Sequence, residues 1–140
     1  MYLNENEIID KTKKKLKEYY NDIIYVCGVS NKKDTPPLSS TTITGKIIDE
    51  ITKGYDIQKI NYFDAILEKP PTNTQIKNEM KHFFNRIANA KKVLLFSEKI
   101  GKHFIKIDNI FVFKDPSYIF QYRKDELQEY IRNARKVLEN

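Results

Sequence analysis

The sequence predicts an α/β fold. The expected form is a three-layer α/β/α sandwich over residues 1–140, a single domain with a four-stranded, mostly parallel sheet. Three observations predict it. Short apolar runs alternate with segments of helical period. The runs are continuous rather than alternating in polarity, as in strands buried on both faces. The length, 140 residues, suits one domain with a substantial core.

The elements follow in order. Ile8, Ile9, Thr12, Leu16, Tyr19 and Tyr20 recur at helical spacing opposite Lys11, Lys13, Lys14, Lys15 and Lys17, which reads as an amphipathic helix over about residues 5–20. Ile23 to Cys27 is short and mostly β-branched, a strand that Gly28 ends. Residues 29–44 form a long polar loop, a length that usually carries function or disorder. Thr44 is the expected N-cap of a short helix that starts at Lys46 and is closed by Gly54. A second strand is expected over Lys59–Ile66. The turn Lys69 to Thr74 leads to a helix over about 74–89, with Ile76, Met80, Phe83, Phe84 and Ile87 as its inner face. His82 falls among that helix's polar positions and reads as a surface histidine, not a ligand. Val93 to Phe96 is a third strand, Glu98 to Phe104 a short helix and Ile110 to Phe113 a fourth strand. The last helix, about 123–138, buries Leu127, Tyr130, Ile131, Ala134, Val137 and Leu138.

Composition bounds the function. The chain is 40% hydrophobic and 31% charged, as in ordinary globular proteins. The longest apolar run, Ile23 to Val29, is too short to span a bilayer. Met1 to Glu5 lacks the basic-then-apolar order of a secretory signal, so an intracellular setting is expected. A single cysteine, Cys27, excludes an internal disulfide, a four-cysteine zinc site and a cysteine-ligated iron–sulfur cluster within one chain. The net charge of +6 favours an anionic partner. No phosphate-binding loop of the G-x-G-x-x-G or G-x-x-x-x-G-K-[ST] type is present.

In a parallel α/β sheet the site lies outside the carboxyl ends of the strands. Here those ends are Gly28–Lys32, Asp64–Lys69, Ser97–Glu98 and Asp115–Phe120. The last is unusual. Lys114 to Phe120 reads as a turn after the fourth strand, presenting an acid, a hydroxyl and then Tyr118, Ile119 and Phe120. Such residues either fold back onto the core or form a wedge that enters a partner such as a base stack.

Five pieces, in order, resemble the uracil-DNA glycosylase superfamily, most closely its small thermophile-type members. Val26 to Lys32 stands where that family has strand one and a motif such as G-E-A-P-G. Thr44-Gly45-Lys46-Ile47-Ile48-Asp49 is similar to S-G-K-L-L-D. Asn61 to Pro71 is similar to T-N-V-V-K-C-R-P-P. Lys92 to Ser97 resembles V-I-V-A-L-G, and Asp115-Pro116-Ser117-Tyr118-Ile119-Phe120 resembles H-P-S-Y-L-L.

The resemblance covers about residues 20–138 and implies base flipping with hydrolysis of an N-glycosidic bond. It assigns Gly28, Val29, Asn31, Leu38 and Asp64 to base binding. Ser39, Ser40 and Ser117 would contact the DNA phosphates, and Tyr118, Ile119 and Phe120 would form the wedge. Ser30 and Asp115 fall at the catalytic motif positions, with Asp34 as a surrogate acid.

The chemistry at those positions has changed. Ser30 is neutral where the family has an Asp, Asn or Glu. Asp64 stands in place of an Asn and only accepts hydrogen bonds, so it suits an exocyclic amine better than uracil. Paired instead with a lysine such as Lys69, it would be an ordinary strand-end carboxylate. Asp115 replaces a His that donates to the leaving base, a role an ionised carboxylate cannot fill. The cluster-binding cysteines of the thermophile-type members are missing, and no cofactor or metal is expected.

The expected function is DNA binding on this scaffold with altered or lost base excision, by a monomer without membrane association. The alternatives are an active glycosylase for a base other than, or in addition to, uracil, a protein-interaction subunit using the same face, and an unrelated α/β domain.

Overall fold

The continuous apolar runs assemble, in a computed structural model of the chain, into one parallel sheet between two helical layers. The structure describes residues 23–29, 36–64, 67, 69–104 and 107–139. The helix expected over residues 5–20 lies outside the described residues, as do Ser30, Asn31 and Asp34.

The strands are β1 (Ile23–Gly28), β2 (Gln58–Asn61), β3 (Ala90–Leu95) and β4 (Ile110–Val112). Their order across the sheet is β2-β1-β3-β4, and every neighbouring pair is parallel. The helices are α1 (Ile43–Thr52), α2 (Asn73–Arg86), α3 (Glu98–Gly101), α4 (Pro116–Tyr122) and α5 (Leu127–Glu139).

The period of two along a strand explains the three layers. Val26 and Leu94 face one side, where they pack with Ile47, Ile48 and Ile51 of α1 and Ile131, Ala134 and Leu138 of α5. Cys27, Val93 and Leu95 face the other side, with Ile76 and Phe83 of α2 and Ile100 of α3. Because both faces are covered, the central strands are apolar apart from exposed Lys91 and from Lys92 at the start of β3. Of the two, Lys92 is buried, and its Nζ donates to the Val137 carbonyl of α5 at 2.5 Å. A cation there satisfies a carbonyl of the last helical turn.

Several boundaries differ from expectation. The second strand ends at Asn61, not Ile66. Tyr62 and Phe63 turn inward instead, and the Tyr62 hydroxyl donates to the Ile76 carbonyl at 2.6 Å. Burying two aromatics and pairing that hydroxyl outweighs extending an edge strand. Helix α1 begins at Ile43 with Thr42 as its cap, accepting from the Gly45 N–H at 3.0 Å, so Thr44 is already inside the helix. Helix α2 begins one residue early because Thr72 and Gln75 form a reciprocal capping box. It ends at Arg86, and α3 stops at Gly101 rather than Phe104. The last helix is preceded by a 3₁₀ turn, Lys124–Glu126.

The largest difference is at Lys114 to Phe120, expected as a turn. It starts helix α4, with Asp115 as N-cap and Pro116 at the first position. Seven residues are too few to show a helical period in sequence.

Candidate functional site

The strand order spreads the carboxyl ends along a line. β2 and β4 are the two edges, so the groups after them lie roughly 14 Å apart, three strand spacings of about 4.8 Å. Asp64 and Asp115 therefore serve two separate places.

At the β4 end, Asp115 Oδ1 accepts from the Ser117 N–H at 2.8 Å, the Ser117 hydroxyl at 2.7 Å and the Thr44 hydroxyl at 3.3 Å. This carboxylate is a helix cap that also ties α4 to α1. Ser117 is bound to it and is half-buried. A cavity of about 390 Å³ lies beside it, lined by Ser97, Glu98, Lys114, Asp115 and Tyr118. Below it the Tyr130 hydroxyl donates to the Lys114 carbonyl. Burial, and secondarily the Asp115 charge, push the Tyr130 hydroxyl well above its ordinary pKa.

The three apolar residues expected as a wedge divide by helical position. Ile119 is only 4% exposed and belongs to the interior, which corrects its assignment to a DNA-facing wedge. On a helix it falls on the same side as the buried Pro116. Phe120 is half-buried against the α1–α5 side of the core, with Lys124 Nζ 4.8 Å from its ring centre. Tyr118 is 41% exposed and Tyr122, four residues on, is 68% exposed. Their ring centres are 5.2 Å apart, and Lys114 Nζ lies 5.8 Å from the Tyr118 ring. Arg123 and Lys124 are both exposed directly after the pair.

In the centre, a Cβ added at Gly28 would come within 2.6 Å of Leu38 Cδ2. Gly28 and Leu38, both expected to line a base pocket, pack on each other. Leu38 has φ +50°, a left-handed conformation uncommon for a branched residue. Its carbonyl is held by Lys59 Nζ at 2.9 Å, and that ammonium also pairs with Asp49 at 2.6 Å. Val29 is half-buried against the α2 side of the core. The Ser39 hydroxyl is 2.9 Å from that of Thr41, and exposed Ser40 accepts from Lys59 at 3.5 Å.

At the β2 end, Asp64 pairs with Arg86 and His82, not with a lysine such as Lys69. Arg86 Nη1 lies 2.5 Å from Oδ1, and His82 Nε2 bonds Oδ2. Arg86 is itself anchored on the Asn61 carbonyl. The Arg86 hydrogen bond, joined by His82, holds the Asp64 carboxyl below its ordinary pKa. Glu79 stands one helical turn before His82, and carboxylate or imidazole atoms of Asp64, Glu79 and His82 lie within 4.8 Å of one another.

Sequence reasoning missed Thr44 as an Asp115 partner, and Tyr122, Glu79 and Arg86 as site residues. It placed His82 correctly on the surface but gave it no partner. The i, i+3 spacing of Glu79 and His82 was visible, but Asp64 joins them only through the fold. No family model, curated protein or solved structure matches the chain.

Proposed function

We propose that the chain is a DNA-binding protein on a uracil-DNA glycosylase-like scaffold, with base excision altered or lost. The observation that carries this reading is the exposed Tyr118–Tyr122 pair on α4, flanked by Lys114, Arg123 and Lys124. Two accessible rings beside cations form a surface on which unstacked bases rest while phosphates meet the cations. Its place after β4, at the carboxyl edge of a parallel sheet, agrees with where ligands bind such sheets.

The weakened excision chemistry is supported by two further observations. Asp115 spends Oδ1 on Ser117 and Thr44, and an acceptor there does not stabilise negative charge on a leaving base. Leu38 covers Gly28, where a base pocket was expected to open.

The test is binding of the purified chain to short single- and double-stranded DNA at two salt concentrations, with the same samples then assayed for abasic sites. Salt-sensitive binding without abasic product, weakened at least about tenfold in Tyr118→Ala/Tyr122→Ala, is expected; each stacked base typically contributes about 1–3 kcal/mol. Abasic product lost in Asp64→Ala would make the chain a glycosylase. Absence of binding at low salt would overturn the DNA reading and point to a protein partner.

A further inference from the structure

Glu79 occupies a position that the surrounding protein does not satisfy. Its Oε1 is buried and has no hydrogen-bond partner among the described residues. Asp64, by contrast, is answered twice, by Arg86 and by His82. The guanidinium and the imidazole are both engaged by Asp64. A buried carboxylate oxygen without a donor is costly, and nearby cations are the usual remedy.

We propose that Asp64, Glu79 and His82 bind a first-row divalent cation, with zinc the best fit. Helix α2 puts Glu79 and His82 on one face, and a Glu-x-x-His pair at this spacing directs both side chains to one ion. The turn after β2 brings Asp64 over that face. All three donor atoms lie within 4.8 Å of one another. A tetrahedral ion with bonds of about 2.1 Å sets its donors roughly 3.4 Å apart, so side-chain rotation is enough to close the site.

One imidazole and two carboxylates match zinc better than magnesium, which prefers an all-oxygen octahedron. Arg86 then acts as an orienting partner. It holds Asp64 by Oδ1, so that Oδ2, which pairs with His82 Nε2 here, would turn to the ion together with the imidazole, the arrangement by which outer groups fix metal-ligating carboxylates. The three donors line a cavity of about 540 Å³ together with Phe63, Leu67, Gln75 and Asn78. The fourth position of the ion faces this cavity and takes a water or an anionic oxygen. This inference does not depend on the DNA reading.

The composition makes the test clean. The chain holds two histidines and one cysteine, and Cys27 is fully buried. The experiment is calorimetric titration of the chelator-stripped full chain with zinc chloride, without DNA, and with magnesium chloride as comparison. One equivalent of zinc per chain is expected, with magnesium at least about tenfold weaker. His82→Ala and Glu79→Gln should each weaken zinc binding about tenfold or more, while His103→Ala leaves it unchanged. Circular dichroism verifies that each variant is folded. The imidazole ¹⁵N shifts of unaltered protein read His82 directly, should a variant unfold. No saturable zinc binding, binding indifferent to His82→Ala, or zinc-induced shifts at His103 alone would overturn the proposal.

Discussion

Asp115 shows how one side chain's role follows from its neighbours. In sequence it stands where a donor to a leaving group was expected. In the fold it caps α4 and receives Thr44 from α1. Asp115→Ala should therefore lower stability by about 1 kcal/mol, and Asp115→Asn should recover most of it, as read by urea denaturation. A catalytic carboxylate would show the opposite pattern, lost turnover with little change in stability. Asp49 carries a second residue-scale prediction. Burial alone would raise its carboxyl, but hydrogen bonds from Lys59 and Ser40 overcome that and hold it below the ordinary value. A lowered folded-state pKa means stability present above the unfolded value and lost as pH falls through the folded one. Stability should thus decline below about pH 4. Asp49→Asn should reduce that decline by about 0.5 kcal/mol, a small effect because the Asp49 side chain is 41% exposed and solvent screens the pair.

Helix α4 is the element that sequence patterning did not reveal, and its two faces make opposite predictions. Ile119→Ala should destabilise the protein by about 2–5 kcal/mol, because it opens a cavity beneath the helix. Tyr118→Ala should change stability by no more than about 0.5 kcal/mol. Equal effects from the two would mean that α4 is not seated as described. Helix α1 is constrained differently. A Cβ at Gly45 would fall 1.8 Å from the Ser39 carbonyl oxygen. That neighbour is backbone and cannot rotate away, so Gly45→Ala should cost about 1–3 kcal/mol. The longer helices were legible because their stripes are long. Ile76 and Phe83 of α2, and Ile131, Ala134 and Leu138 of α5, are buried as their periodicity requires. Their ends were less legible, since Thr42 and Thr72 compete with neighbouring threonines as caps and only the local turn chooses between them.

Across the whole molecule, Cys27 reports on the integrity of the sheet. It lies on central strand β1 with no exposure, and burial pushes its thiol far above the ordinary value. Alkylation by iodoacetamide should be negligible in native conditions and rapid in denaturant. Fast native labelling would contradict the two-sided burial of β1. That burial was readable in advance: a run as apolar as Ile23 to Cys27 has no face to give to water, and only a covered parallel sheet accommodates it. Alternating runs and helices likewise required the three layers. The strand order was not readable, because no single segment encodes which strand lies beside which. That order decides the candidate sites. It sends Asp64 and Asp115 to opposite edges, brings Glu79 and His82 beneath Asp64, and leaves Leu38 on Gly28. Local patterning determines which residues must be buried, since burial follows from side-chain chemistry and period. Which polar groups meet is decided only when distant segments pack, because hydrogen bonds and ion pairs act over a few ångströms and have no period to read.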